Sequence, residues 1–138
     1  MIAPAARLLS MGGAWPCYRC RMHKILLFMR RRPDISVEAF RDYYETHHAP
    51  LAAKYSRGVT RYIRRYVDPQ PHPETGTYID GPDVITELWF ADEKVYRATL
   101  AYITTSSMPD DIIEDENNLF DRTSFRIATV TERETDFG

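Results

Sequence analysis

The sequence predicts a single α+β domain in which helices cover one face of an antiparallel sheet. Three observations support this prediction. The chain has 138 residues, a length suited to one domain. Four runs of apolar and β-branched residues have the length of strands, and two amphipathic segments with helical spacing lie between them. The order of these segments along the chain is β-α-β-β-α-β.

The first strand and the first helix are the most clearly patterned elements. Apolar residues occupy both faces of Lys24–Arg31, which indicates a strand that is buried on both sides. A helix then begins at Ser36, a good N-cap, and Ile35 and Phe40 occupy the positions of a hydrophobic staple. Its apolar stripe holds Val37, Phe40, Tyr44, His47 and Leu51, with His48 at the edge. Pro50 should stop or kink this helix.

Two further strands are separated by a long loop. Val59–Val67 alternates, with Tyr62, Arg64 and Tyr66 on one face. The proline-rich loop Asp68–Pro82 is longer than most connections, which is typical of a lid or a partner-contacting loop. The third strand, Val84–Ala91, places Glu87 beside Ile85 and Trp89 on one face.

The last third of the chain completes the pattern. Asp92 is expected to cap a second helix, and Ser107-Met108-Pro109 begins another helical stretch. Phe125–Thr131 is the last predicted strand. The complete order is that of a ferredoxin-like plait, whose sheet has helices on one face only. Because the first and third strands are apolar on both faces, the second face needs a cover, and we expect a second copy to provide it in a two-fold dimeric α/β barrel.

Composition and termini exclude several classes of protein. The net charge of −2 argues against a nucleic-acid partner, and no apolar run is long enough to span a membrane. Residues 1–21 lack the apolar core of a secretory signal, so we interpret them as a flexible leader or start-site artefact, residues 22–134 as the domain and 135–138 as a tail. Because the sequence shows no export signal, we expect a cytoplasmic location. Cys17 and Cys20 form a CxxC without a second pair or a βαβ context, so they are interpreted as incidental.

Three segments carry a family resemblance. These are Lys24–Arg32 followed by PDISVEAFRDYYETHHAPLA, then DVITELWF at Asp83–Phe90, and DENNLFD at Asp115–Asp121. Together they resemble EthD-domain proteins from about Met22 to Glu132. The resemblance implies the dimeric α/β barrel superfamily, whose other members include polyketide cyclases, muconolactone-type isomerases, dehydratases and cofactor-free monooxygenases. Because one fold hosts many activities, function has to be argued from the site.

The adjacent histidines are the candidate catalytic residues. His48 matches the histidine of the H-x-P-L signature of the family, which implies a role as general acid or base. The apolar stripe instead points His47 further inward, so His47 is a second candidate, orienting His48 or binding substrate. Alternatively, one of the two only caps the helix C-terminus, where a positive imidazole is favoured.

Six residues are candidates for substrate binding: Phe40, Tyr44, Tyr62, Arg64, Glu87 and Trp89. Tyr44 lies one turn before His48 and either shares its pocket or is a core tyrosine. The last four are expected to converge on one sheet face, where Arg64 would hold a carboxylate or enolate oxygen and Glu87 would tune a histidine. The alternative is an Arg64–Glu87 ion pair in the dimer interface.

The sequence indicates neither a metal nor a cofactor. Asp111 and Asp115 have i, i+4 spacing, but no EF-hand pattern accompanies them, so a solvated helix face is expected. Within that stretch, Asp115 and Asp121 match the family and are expected to serve as caps or contacts. There is no phosphate-binding glycine loop, dinucleotide fingerprint, serine elbow or HExxH pair.

Two classes of function remain after these exclusions. The first is a cofactor-independent lyase, dehydratase or isomerase acting on a small oxygenated metabolite of aromatic, lactone or polyketide type, with a cofactor-free monooxygenase as a variant. The second is a non-catalytic dimeric binding or accessory protein of an oxidative catabolic pathway. An open pocket lined by His48 favours the first class, and a filled pocket favours the second.

Overall fold

The computed structural model describes residues 21–138. The proposed leader and the CxxC of Cys17 and Cys20 lie outside this range. The elements in chain order are β1 His23–Arg31, α1 Val37–Tyr43, a π-helical turn Tyr44–His48, α2 Ala49–Lys54, β2 Arg61–Tyr66, β3 Val84–Phe90, α3 Glu93–Thr105, α4 Asp110–Asn117 and β4 Phe120–Thr129. The predicted β-α-β-β-α-β order is confirmed, and α4 is the helical stretch expected after Ser107-Met108-Pro109.

The four strands form one antiparallel sheet in the order β2-β3-β1-β4. This is the strand arrangement of the ferredoxin-like plait. The prediction for the last strand was wrong at its start, because β4 begins at Phe120 rather than at Phe125. The pairing of β4 with β1 shifts register between Phe28 and Arg30, and this shift lets Phe120 and Asp121 join the strand. The shift depends on contacts between distant residues, so the alternation of apolar and polar residues in the sequence cannot reveal it.

The helices cover the inner face of the sheet, and the core lies between the two layers. Fully buried side chains from the strands and from α1 meet there; they include Ile25, Met29, Phe40, Tyr44, Val84 and Phe120. Phe40 makes edge-to-face contacts with the rings of Tyr44, Tyr66 and Phe120. This aromatic cluster holds α1 against the sheet and thereby sets the position of the turn that follows it.

Both predicted helix caps are present. The Ser36 hydroxyl accepts a hydrogen bond from the backbone N–H of Ala39, and the Asp92 carboxylate accepts from Lys94 and Val95. Each cap satisfies backbone donors that the first helical turn leaves without partners. The beginnings of the two helices are therefore determined locally.

Of the two outcomes expected at Pro50, a stop or a kink, the helix does not stop, and a wider turn precedes the proline. The Ala49 N–H donates to the carbonyl of Tyr44, five residues earlier, and the helix then continues through Pro50 to Lys54. A π turn holds one more residue than an α turn, so it rotates everything after it by one position. Beyond Tyr44 the buried stripe therefore continues at His48, and His47 is exposed.

The outer face of the sheet is half-buried in the single chain and carries Leu26, Phe28, Ile85 and Trp89. The loop of residues 67–83 connects β2 to β3 and exposes the side chains of Tyr78 and Ile79. Among residues 21–138, no helix combines the length and the apolar composition that crossing a membrane requires.

Candidate active site

A buried histidine–aspartate pair lies between the first helical segment and α4. His48 is 6% exposed, and its Nδ1 lies 2.7 Å from Oδ2 of Asp115. The imidazole also makes edge-to-face contacts with Tyr44 and Phe120. Within residues 21–138, no protein group forms a hydrogen bond with Nε2, so this nitrogen is free for a ligand.

Asp115 determines the orientation of the imidazole. An ionised carboxylate can only accept hydrogen bonds, so Nδ1 carries a hydrogen, and Nε2 of the neutral ring keeps its lone pair. The second carboxylate oxygen of Asp115 accepts from the Tyr43 hydroxyl at 2.9 Å. Burial, and then the carboxylate of Asp115, raise the pKa of Tyr43, so this phenol remains a donor. Asp115 is thus held from two sides and holds His48 in turn.

His48 lines a cavity of about 830 Å³ between the sheet and the helices. The strands contribute an apolar floor that includes Leu27, Leu88, Phe125 and Ile127. The opposite wall comes from α3, from the segment around Met108 and from α4. The polar side chains that line it include Tyr62, Thr86 and Glu116 besides His48, and two arginines, Arg57 and Arg122. The volume falls in the range of small-molecule sites, and an apolar cavity with a few convergent polar groups is typical of them.

Three hydroxyl groups form a chain beside the imidazole. The Tyr44 hydroxyl lies 2.8 Å from Oγ1 of Thr86 and 3.1 Å from the Tyr62 hydroxyl. Burial raises the pKa of Tyr44 well above its ordinary range, and burial also raises that of Tyr62. Both phenols therefore stay protonated and can donate hydrogen bonds to a ligand oxygen.

Glu116 is a second buried carboxylate in the same cavity. It is 7% exposed, and its Oε2 accepts a hydrogen bond from Nε of Arg122 on β4 at 3.1 Å. Burial raises the pKa of the Glu116 carboxyl, while the charges of His48 and Arg122 act in the opposite direction. Such a raised pKa is common among carboxyl groups that transfer protons.

Several predicted site residues come together. His48, Tyr44 and Tyr62 line one cavity, as the first hypothesis requires. Phe40 lies behind Tyr44 in the aromatic core and is not among the residues that line the cavity. His47 is exposed, stacks on the ring of Tyr43 at 4.5 Å and places its Nδ1 2.8 Å from the Thr46 hydroxyl. His48 therefore lines the cavity, whereas His47 is exposed to solvent.

The expected convergence of Tyr62, Arg64, Glu87 and Trp89 was wrong. Tyr62 and Arg64 pair in register with Leu88 and Thr86, which lie on the inner face, whereas Glu87 and Trp89 lie on the outer face. The predicted alternative, an Arg64–Glu87 ion pair, was also wrong. Successive residues of a strand point to opposite faces, so Arg64 and Glu87 cannot meet in this register.

Each of these charged residues has a different partner. Arg64 forms a two-point ion pair with Glu45 of the π turn, at 3.0 and 2.7 Å, and this pairing lowers the pKa of Glu45. Glu87 pairs with Arg65 at 3.0 Å and accepts a hydrogen bond from the Trp89 indole at 2.9 Å. Neither pair touches His48.

Sequence patterns did not reveal the buried polar surroundings of His48. They predict a cap or contact role for Asp115 and a solvated face for Glu116, and they give Arg122 no role. The resemblance of the DENNLFD segment contained the only signal, because it includes both Asp115 and Glu116. The two carboxylates with i, i+4 spacing have separate partners, since Asp111 accepts hydrogen bonds from the Tyr55 hydroxyl and Asp115 pairs with His48.

Fold and site define an α+β protein of the ferredoxin-like type with a histidine–aspartate pair in a cavity beneath its helices. The EthD domain model matches residues 32–123, and the chain belongs to this family. An EthD family protein from Bacillus halodurans C-125 is similar in structure, with a TM-score of 0.53 and 16% identity over 82% of this chain and 100% of that one. At this identity the similarity shows the fold alone.

Two further solved structures are more distant. A dimeric ferredoxin-like protein from an uncultured marine organism has a TM-score of 0.47 and 10% identity, covering 85% of this chain and 95% of that one. A proposed antibiotic biosynthesis monooxygenase from Bacteroides thetaiotaomicron has a TM-score of 0.41 and 12% identity, covering 80% and 89%. No curated protein matches the chain.

Proposed function

We propose that this protein is a proton-transfer enzyme that acts on a small oxygenated metabolite, with His48 as the general acid or base. One observation carries the proposal: His48 is buried in the wall of a cavity, with Nδ1 held by Asp115 and Nε2 free. A histidine that only caps a helix needs neither the carboxylate nor the cavity. An imidazole oriented by a carboxylate is the usual arrangement of a proton-transferring histidine.

The lining of the cavity supports a particular kind of substrate. Leu27, Leu88 and Ile127 offer an apolar surface to an aromatic or alicyclic skeleton. The Tyr62 hydroxyl is a donor for an oxygen that gains negative charge as His48 removes a proton. The sequence suggested Arg64 or Tyr62 for this role, and the guanidinium of Arg64 is occupied by Glu45. Lyase, dehydratase and isomerase reactions all begin with such a proton transfer.

Binding of a panel of ligands to the wild-type protein tests this proposal. The panel contains a phenol, a lactone and a bicyclic aryl ketone, and the readout is the imidazole NMR signals of both histidines. We expect at least one ligand to shift the signal of His48 and leave that of His47 unchanged, because only His48 lines the cavity. The His47→Asn variant assigns the signals. If no ligand moves the His48 signal, the proposal fails. A ligand that binds without any turnover would favour the accessory-protein alternative.

The outer sheet face supports a homodimer. Leu26, Phe28 and Ile85 form an apolar surface on neighbouring strands and are only half-buried in the single chain. A second copy of the same face would cover this surface with two-fold symmetry. Analytical ultracentrifugation should therefore give twice the 16.1 kDa mass of the chain, and Phe28→Asp should reduce it to that of one chain. A wild-type protein that sediments as a monomer at micromolar concentration would contradict the dimer.

A further inference from the structure

Glu116 has features that the histidine–aspartate pair does not explain. Its side chain lies in the wall of the same cavity as His48, and it is almost fully buried. Arg122 donates to Oε2, while no group among residues 21–138 forms a hydrogen bond with Oε1. Oε1 itself is not fully buried, and because Glu116 lines the cavity, this oxygen is available to a ligand there.

The charges of the buried cluster around Glu116 leave room for one proton, and Arg57, a further charged residue in the cavity lining, is exposed. The charged or titratable groups that face Glu116 are His48 from the π turn, Arg122 from β4 and its neighbour Asp115. With a neutral imidazole, the two carboxylates and one guanidinium sum to one negative charge. A single proton on either His48 or Glu116 neutralises this buried cluster, and a buried cluster favours neutrality. His48 and Glu116 therefore form a pair in which one member holds a proton and the other can accept one.

We propose that Glu116 is a second catalytic residue, and that the His48–Glu116 pair enolises a ketone with a hydrogen on the adjacent carbon. The member without a proton removes the α-hydrogen, and the C–H electron pair forms the carbon–carbon double bond. The carbonyl π pair moves to oxygen, which takes the proton held by the other member. The product is the enol, the pair has exchanged its proton from one member to the other, and no co-reactant is consumed. This inference rests on the proposed function of His48.

The cavity also indicates the substrate class. Its apolar floor and its volume of about 830 Å³ suit a bicyclic or larger aromatic ketone rather than a sugar or an amino acid. A neutral ketone leaves the charge balance of the Asp115, Glu116, Arg122 and His48 cluster unchanged, whereas a carboxylate would add a negative charge to it. The predicted substrate is therefore a neutral aryl or polycyclic ketone.

The pH dependence follows from the condition that the pair holds one proton. Burial raises the pKa of Glu116 above the ordinary value of 4.5. As the pH falls through this raised pKa, both members become protonated and no base remains, so the rate declines on the acid side. At high pH both lose their protons, and the rate declines again. The two apparent pKa values of this bell-shaped profile belong to the pair and not to one residue.

The test uses 2-tetralone as the probe and measures the loss of its C1–H signal in deuterated buffer by NMR. Wild-type protein should exchange this hydrogen with a bell-shaped pH profile. Glu116→Gln should be at least about 10-fold slower and should lose the bell shape of the profile, because an amide cannot carry the proton and only one member of the pair is left to titrate. Glu116→Asp should keep the bell-shaped profile at a lower rate. Glu114→Gln, which removes an exposed carboxylate of the same helix, should stay within about 2-fold.

The outcomes separate the two proposals. If wild-type protein exchanges no faster than His48→Asn, the function proposed for His48 fails and the pair fails with it. If His48→Asn is slow but Glu116→Gln matches wild type in rate and profile, the function stands and the role of Glu116 is overturned. Circular dichroism checks that each variant is folded. Should Glu116→Gln not fold, the pH profile of Glu116→Asp decides, and a profile with a single limb overturns the proposal.

Discussion

Replacing His48 by asparagine is expected to reduce turnover by about 10²- to 10⁴-fold, the usual contribution of a well-placed histidine to proton transfer. Asparagine is the informative choice, because its amide nitrogen occupies the position of Nδ1 and can still donate to Asp115. The substitution removes Nε2, but the buried carboxylate of Asp115 still has a hydrogen-bond donor beside it. Loss of activity can therefore be separated from the large destabilisation that an unpaired buried charge would cause.

The matched control is His47→Asn, which changes the neighbouring histidine. His47 is exposed, stacks on the ring of Tyr43 and is hydrogen-bonded to the Thr46 hydroxyl. We expect its exchange rate with 2-tetralone to stay within about 2-fold of wild type. Equal losses in both variants would mean that the effect does not arise from the cavity. An unchanged rate in His48→Asn would remove the catalytic role altogether.

The second large effect is on stability. Phe40→Ala is expected to lower the free energy of unfolding by about 3–5 kcal/mol, because the ring is fully buried and its removal leaves a cavity. The ring also loses its edge-to-face contacts with Tyr44, Tyr66 and Phe120. A loss of this size is a large part of the total stability of an ordinary small domain, which is about 5–15 kcal/mol.

Urea unfolding followed by circular dichroism measures this effect. Val37→Ala is the control, since Val37 lies on the same helix but is 40% exposed, and its change should be below about 0.5 kcal/mol. Similar midpoints for Phe40→Ala and wild type would contradict the aromatic core described above. Because Phe40 supports Tyr44, the same variant should also weaken ligand binding without touching the cavity itself.

The two histidines show how far sequence patterns can go. Helical periodicity predicted that His47 points inward, whereas the family resemblance favoured His48. The π turn Tyr44–His48 explains the difference, since one additional residue in the turn moves the buried stripe from His47 to His48. Nothing in the local propensity of YETHH distinguishes a π turn from an α turn, although Pro50 signals that the regular hydrogen bonding is interrupted.

The acidic helix α4 was harder to interpret. Asp110, Asp111 and Glu114 are exposed, as expected for a solvated face, but Asp115 and Glu116 are buried against His48 and Arg122. From sequence alone, a run of carboxylates is most simply a wet surface. Which carboxylates of α4 are buried depends on partners that are distant in the chain, since His48 lies 67 residues before Asp115.

The sequence by itself determined the element order, the two helix caps and the apolar faces of the strands. These features arise from interactions between residues that are close in the chain, where sterics, capping hydrogen bonds and the periods of helix and strand operate. Tertiary structure alone decided that Asp115 orients His48, that Arg64 pairs with Glu45 rather than Glu87, and that Glu116 lines the cavity. Those outcomes depend on the register of the strands and on the packing of α4 over the sheet, which bring distant residues into contact and which no local pattern encodes.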